Sequence, residues 1–422
     1  MPVFKKNILF IALGCVGIAL LLCFFSFSST TYSQHGLMAS VATTTTEHAD
    51  TTIISNHIPT PTQVKAIYMS QCVVGTPSFR KKLVDLVETT ELNSIIIDIK
   101  DFSGTIGFKT TNPLLASASM KSCGAPDMQA FIESLHQKGI YVIGRITVFQ
   151  DPFYTKAHPD QAIQSKSTGG PWKDTKGLSY IDVSSKPYWD VVVELSKEAH
   201  DIGFDELNYD YIRYPSDGKL SDAAFINPNI DGSPLNKGLA VEMFWKYLRE
   251  HVKPTGVVMS ADLFGMTTVA EDDMGIGQQL DRAEPYFDYI APMVYPSHFA
   301  TNFGGFGNPN THVYQVIQYS MSEAVKRVES TTTPVDFIGA VPIVNRSTAT
   351  STAKAKIQLY AKQSYPATML RPWLQDFSYG GTYGPTEVDD QIKATYDVGL
   401  NSWMLWSAAN TYTTAALVPA TQ

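Results

Sequence analysis

Residues 203–215 read GFDELNYDYIRYP. In an extended strand successive side chains point to opposite faces, so Glu206, Asn208 and Asp210 fall on one side and Leu207, Tyr209 and Tyr211 on the other. The apolar face needs a packing layer, and the face of acids and amide needs partners or solvent. Such a strand fits a sheet covered outside by helices and enclosing polar groups within. Outward from it, short runs rich in β-branched and aromatic residues recur at 64–70, 94–100, 140–148, 204–211, 256–262, 287–295, 369–375 and 401–406. Helical patterns at 78–91, 127–138, 188–202, 236–252, 312–329 and 387–398 separate them, the second with Asp127 as its expected cap. Eight strands alternating with helices predict an α/β fold, a (β/α)8 TIM barrel, with loop insertions at 150–182, 212–235 and 330–368. The run VDFIGAVPIV (335–344) has no place in that count. It is a hairpin, an insertion, or a barrel strand that renumbers those after the sixth. An open doubly wound sheet is the alternative, but SQCVVGTP (70–77) lacks its Gly-rich phosphate turn.

The N-terminus reads as a membrane address. Residues 1–7 carry Lys5 and Lys6 and no acid, and 8–25 (ILFIALGCVGIALLLCFF) are an unbroken apolar run. That length can span a bilayer, and the lysines should stay inside. We read 1–7 as a cytoplasmic n-region and 8–27 as a transmembrane signal anchor, with a cleaved signal peptide as the alternative. The Ser/Thr-rich stretch 28–63 is an expected disordered linker, 64–415 the barrel domain and 416–422 a tail. The barrel is then outside the cytoplasm, membrane-anchored or, if the leader is cleaved, secreted. Cys72 and Cys123 either form a disulfide there or are two free buried thiols.

The 422-residue chain is 44% hydrophobic, so a large core is available. With 32 basic against 40 acidic residues, a net charge of −8, it has no basic surplus for phosphates, which disfavours nucleic-acid binding. No Cys or His spacing suggests a metal site, and nothing calls for a cofactor.

Polar residues gather where the strands end, which in a barrel is where chemistry sits. Strand 2 ends with Asp98 and Lys100, expected on one face by alternation; strand 3 brings Arg145; strand 4 Glu206, Asn208 and Asp210. Strand 5 ends at Ser260 and Asp262, strand 6 at Tyr295 and His298, strand 7 carries Arg371, Trp373 and Gln375, and strand 8 Trp403 and Trp406. Buried acids could simply pair off into an ion network. Several acids within an aromatic rim instead suit a carbohydrate, whose C–H faces stack on rings while carboxylates bond its hydroxyls. Two carboxyls can then divide glycoside hydrolysis, one as acid and the other as nucleophile or base. Asp210 and Asp262, on adjacent strands, are the natural pair. Arg213 is expected to keep Asp210 ionised, and the apolar Leu263 and Phe264 to raise the pKa of Asp262. The reverse assignment is open, and Glu206 could replace either.

The phrases IIIDIKD (95–101), YVIGRITVFQDP (141–152), GFDELNYDYIRYP, SADLFG (260–265), APMVYPSH (291–298), RPWLQDF (371–377) and SWMLWSAANTY (402–412) resemble, in order, the bacterial putative glycosyl hydrolase domain family. That family, long catalogued as a domain of unknown function, is similar to the α-amylase clan of TIM-barrel glycosidases. The resemblance implies a hydrolase of glycosidic bonds with Asp98, Asp210 and Asp262 as leading site residues. It departs from the amylase pattern at Asn208, where that pattern has an arginine two residues before the strand-4 aspartate. The expected function is glycoside hydrolysis of cell-surface or extracellular polysaccharide. The alternatives are a non-catalytic carbohydrate-binding barrel anchored at the cell surface, and a hydrolase of another linkage such as a deacetylase or amidase.

Overall fold

In the computed structural model, residues 57–226, 229–230, 233–234, 236–343 and 358–420 are described. The expected membrane span and all of the expected linker before residue 57 lie outside them. Among the described residues no helix is long and apolar enough to cross a membrane.

Eight parallel strands close into a barrel: β1 (Lys65–Met69), β2 (Ser94–Lys100), β3 (Tyr141–Thr147), β4 (Glu206–Asp210), β5 (Val258–Phe264), β6 (Tyr289–Met293), β7 (Trp373–Gln375) and β8 (Trp403–Trp406). Each pairs with its chain neighbours, and β8 returns to β1. The intervening helices are α1 (Pro77–Thr89), α2 (Met128–His136), α3 (Lys186–Asp201), α4 (Lys237–Val252), α5 (Val313–Glu329) and α6 (Pro385–Asp397). Between β5 and β6 a single turn, Leu280–Ala283, stands in for a helix. Proline in the first turn starts α1, α3 and α6, where its missing N–H costs no helix bond. The Asn236 side chain accepts from Leu239 N at the start of α4. The expected cap of α2 does not form, because the Asp127 carboxylate is held by Arg80 at 2.9 and 3.1 Å.

The two faces of each strand separate as alternation requires. Ile67, Ile95, Ile97, Val142, Leu207, Met259 and Leu263 pack outward in the barrel–helix layer. Ala66, Tyr68, Ile96, Tyr141, Ile143, Ala291 and Met404 fill the interior. The described parts of the 330–368 region, 330–343 and 358–368, lie outside the barrel. Thr332–Thr333, Val341–Pro342 and Tyr360–Ala361 form a small antiparallel sheet, so the run at 335–344 adds no barrel strand and the strand order stands. The long loops after β3 and β4 are tied together by an antiparallel pair, Gln164–Ser165 with Ala223–Ala224, and form one wall above the barrel. The last residues of the expected linker are ordered on its opposite end: Ile58 N donates to Asp205 at 2.9 Å, and Thr60 meets the Tyr141 hydroxyl at 3.0 Å. Cys72 and Cys123 form a disulfide, joining the turn after β1 to the loop after β2.

Candidate active site

Strand polarity sorts the buried charges into levels along the barrel axis. Glu206, the first residue of β4, lies opposite Ile143 near the N-terminal end. Its carboxylate accepts from Arg371 at 2.7 Å and from Tyr141 at 3.1 Å, and the guanidinium of Arg371 lies 3.2 Å from the Tyr289 ring centre. Both charges are nearly inaccessible, and neither lines the cavity above. Glu206 and Arg371, expected at the site, thus form a closed pair in the barrel floor.

One level higher a single guanidinium gathers three acids. Arg145 donates to Asp98 at 2.7 Å and to Asp210, and its Nε lies 3.7 Å from Asp262. Asp98 also accepts from the Tyr68 hydroxyl. Desolvation raises the pKa of Asp98 to about 6, against the pull of Arg145 and Tyr68. Asn208 stands where the amylase pattern has arginine; the cation on Asp210 comes instead from the neighbouring strand. Asn208 donates to Asp262 at 2.9 Å and to Ser260 at 3.2 Å. Trp373 donates to the same oxygen of Asp262, Oδ1, at 2.7 Å. Burial, and next the charge of Asp210, push Asp262 up to about 8. The direction agrees with the sequence expectation, but Leu263 faces the helix layer and contributes nothing to the cavity wall. With both N–H donors on Oδ1, Oδ2 remains to carry the proton.

Above this level opens a cavity of about 510 Å³, walled by Arg145, Asp210, Asp262, Tyr295, His298, Trp373 and Trp406 on the barrel side and by Asp174, Lys176, Tyr180 and Tyr211 from the loops. Trp406 stands edge-on to Trp373 at 5.6 Å and lies over Tyr68 at 4.2 Å. The His298 ring, its pKa lowered by burial, is 2.9 Å from the Ser297 hydroxyl and edge-on to Tyr295. Gln375 does not line the cavity; it accepts from Ser297 N at 3.2 Å and donates to the Phe377 carbonyl, bracing the loop that carries His298.

Three further expectations need correction. The register of β2 against β3 slips between Asp98 and Lys100, so Lys100 does not share the face of Asp98. Its ammonium bonds the Thr147 carbonyl at 2.6 Å and Asp151 at 3.0 Å, beside Tyr188 of α3. Tyr211 leaves the outer face because its backbone is left-handed (φ 52°), which ends the alternation and turns its ring to the cavity. Arg213 lines the cavity but forms no ion pair with Asp210; it lies between the Tyr211 and Phe264 rings. Sequence reading missed Tyr68, the inward residue of β1 that alternation could have flagged. It also missed the loop residues Asp174, Lys176 and Tyr180, which no periodicity marks.

Among solved structures, the PgaB (BpsB) glycoside hydrolase domain from Bordetella bronchiseptica is similar at 11% identity and TM-score 0.55, over 83% of this chain and 95% of that one. An alpha-L-fucosidase isoenzyme 2 from Paenibacillus thiaminolyticus is similar at 13% identity and TM-score 0.52, over 84% of this chain and 48% of that one. A hypothetical protein from Ruminiclostridium thermocellum is 30% identical over 50% of this chain and 98% of its own, at TM-score 0.41. The first two likenesses show the fold. No curated protein matches the chain significantly. The family described as "Putative glycosyl hydrolase domain" matches residues 66–343 and 339–412, which takes in all eight strands and both acids at the cavity floor, and the chain belongs to that family.

Proposed function

We propose that the protein hydrolyses O-glycosyl bonds of cell-surface or extracellular polysaccharide with two carboxyl groups, Asp262 as proton donor and Asp210 as nucleophile. The observation that carries this reading is a pair of carboxyl groups from adjacent strands on the floor of one cavity, Asp210 ion-paired to Arg145 and Asp262 raised by burial and by the charge of Asp210. Asp262 gives its proton to the leaving oxygen as a carboxylate oxygen of Asp210 attacks the anomeric carbon. Water then cleaves the resulting glycosyl ester, with the Asp262 carboxylate taking its proton. The pairing Asn208–Ser260 and Tyr209–Ala261 sets Asp210 beside Asp262 on the next rung. Neighbouring strands are about 4.8 Å apart, which favours the separation of about 5–5.5 Å found in retaining enzymes over the wider gap of inverting ones. Trp406 and His298 offer the accessible ring surfaces on which a sugar stacks, while the buried Trp373 holds Asp262. An exported location fits the Cys72–Cys123 disulfide, since such bonds persist in oxidising compartments.

The test is release of reducing ends from a panel of polysaccharides and aryl glycosides by the wild type, Asp210→Asn and Asp262→Asn, with the first-formed anomer read by NMR. Retention, abolished by Asp210→Asn, is the expected result. Equal turnover by all three proteins removes these two acids from the mechanism. Binding of a polymer without new ends favours the carbohydrate-binding barrel instead.

A further inference from the structure

Arg213 is a buried cation whose charge meets no carboxylate among the described residues. It is 5% exposed, and no ion pair within 4.0 Å reaches it among the described residues, whereas Arg145 pairs with three acids and Arg371 with one. Only Nη1 of its fork is used, toward the Tyr214 carbonyl at 3.0 Å and the Ser216 hydroxyl at 3.4 Å. Nε is buried with no hydrogen-bond partner, as it is in Arg145 and Arg371, and Nη2 makes no hydrogen bond among the described residues, so what sets Arg213 apart is the missing carboxylate. The Tyr211 and Phe264 rings, 4.6 and 4.4 Å from the guanidinium carbon, fix its plane. Its side chain forms part of the cavity wall.

A buried guanidinium is expensive unless paired. Two ring contacts offset part of that cost but leave the planar fork without the acceptor it is shaped for. The carboxylates on the same wall do not fill the role. Asp174 is held by Lys176 N, Leu178 N and the Gln150 amide. Asp217 is exposed at the lip, and Asp210 is occupied by Arg145. The two residues that sandwich Arg213 follow the proposed pair closely in sequence, Tyr211 next to Asp210 and Phe264 two beyond Asp262.

Resting on the glycosidase reading, we infer that Arg213 receives an anionic substituent of the substrate, so that the sugar bound beside the cleaved linkage is an acidic one. A uronate carboxylate and a sugar phosphate present the same pair of oxygens to the fork, and Lys176 at the cavity lip adds a second cation on the approach. The acid group then fixes the ring's orientation over Asp210 and Asp262, which makes Arg213 a determinant of specificity.

The experiment is calorimetric titration of the full chain with D-glucuronate, D-galacturonate, glucose 6-phosphate, glucose and galactose, alongside Arg213→Gln and Arg213→Lys. The expected result is that the wild type prefers at least one anionic sugar over its neutral counterpart by about 10- to 100-fold, the range for a hydrogen bond to a charged group. Arg213→Gln loses that preference and Arg213→Lys keeps part of it. A uronate-only or phosphate-only preference identifies the source of the anion. Equal binding of acidic and neutral sugars by the wild type, or detectable binding of neither, overturns the proposal without reference to any variant's folding. The readout is independent of turnover. Anionic preference without bond cleavage on any substrate rejects the glycosidase reading and leaves the anion site standing.

Discussion

Replacing Asp262 by Asn separates the cost of this acid from its use. Asn keeps an oxygen for the two donors that converge on Oδ1, Asn208 and Trp373, and puts an amide where the protonated Oδ2 stands, 3.7 Å from Arg145 Nε. Packing is therefore conserved and the titrating proton removed. In the folded wild type the acid titrates near pH 8, against about 3.9 in the unfolded chain. Between those values the folded state holds a proton that the unfolded state has lost. Stability from this group is thus full below about pH 4 and declines as pH rises toward 8, by about 1.4 kcal/mol per pH unit. From pH 5 to pH 7 the wild type should lose up to about 3 kcal/mol relative to Asp262→Asn, the limit being full retention of the proton. Urea denaturation of both proteins at pH 5, 6 and 7 measures the difference, and other titrating groups cancel to the extent that they do not couple to Asp262. Turnover should run the opposite way. With its pKa pushed up to about 8, the donor keeps its proton at neutral pH and activity falls as pH rises through that value. The variant should lose about 10²- to 10⁴-fold on unactivated glycosides and much less on aryl glycosides whose leaving group needs no proton. Parallel stability curves, or an unchanged alkaline limb in the variant, would refute both the protonated state and its role.

Arg145→Gln leaves Asp98, Asp210 and Asp262 clustered without their cation, and should cost about 3–5 kcal/mol in denaturant melts; a loss below 1 kcal/mol would mean the three acids do not share that guanidinium. Glu206→Gln breaks the floor pair with Arg371 and should lower stability by a similar amount, while activity per folded molecule stays near wild type; a loss of turnover at full folding would return Glu206 to the site. Cys72→Ser with Cys123→Ser should destabilise by about 2–4 kcal/mol, as expected for a bridge closing a loop of 51 residues, and dithiothreitol should lower the melting temperature of the wild type but not of the double variant.

Strands were legible because burial on two different layers imposes a period of two. Leu207 and Tyr209 must meet the helices, and Glu206, Asn208 and Asp210 must then face in. The same rule fails wherever the backbone leaves the strand. The slip in β2 turned Lys100 outward, and the left-handed Tyr211 turned its ring inward; neither a bulge nor a positive φ at a tyrosine has a composition signature. Partner choice was less legible still. Arg213 is three residues from Asp210 and was expected to serve it, yet Arg145, distant in sequence, occupies that acid because the β3–β4 register pairs Thr147 with Asp210. Spacing along the chain reports neighbours on one element, whereas a barrel makes its ion pairs across strands.

The charges differ most in how much of their bonding capacity is spent. At the floor, Glu206 and Arg371 bond each other, with Tyr141 donating to the acid and the Tyr289 ring against the guanidinium, outside the cavity above. In the middle, Arg145 meets three acids, too many for one cation to neutralise, and the pKa of Asp262 is pushed up accordingly. Higher still, Arg213 has two aromatic rings against its guanidinium and no acid among the described residues. A network whose purpose was only to close the barrel would be equally satisfied at every level, because each unpaired buried charge costs free energy that folding must offset elsewhere. The acids available to each cation run out toward the open end, with a raised carboxyl and then a guanidinium that meets no acid among the described residues facing one cavity, while a buried Nε is left without a hydrogen-bond partner on the arginine of every level. That gradient is what a substrate's leaving oxygen and a substrate's anion would complete, and it places bond cleavage below and recognition above along a single axis.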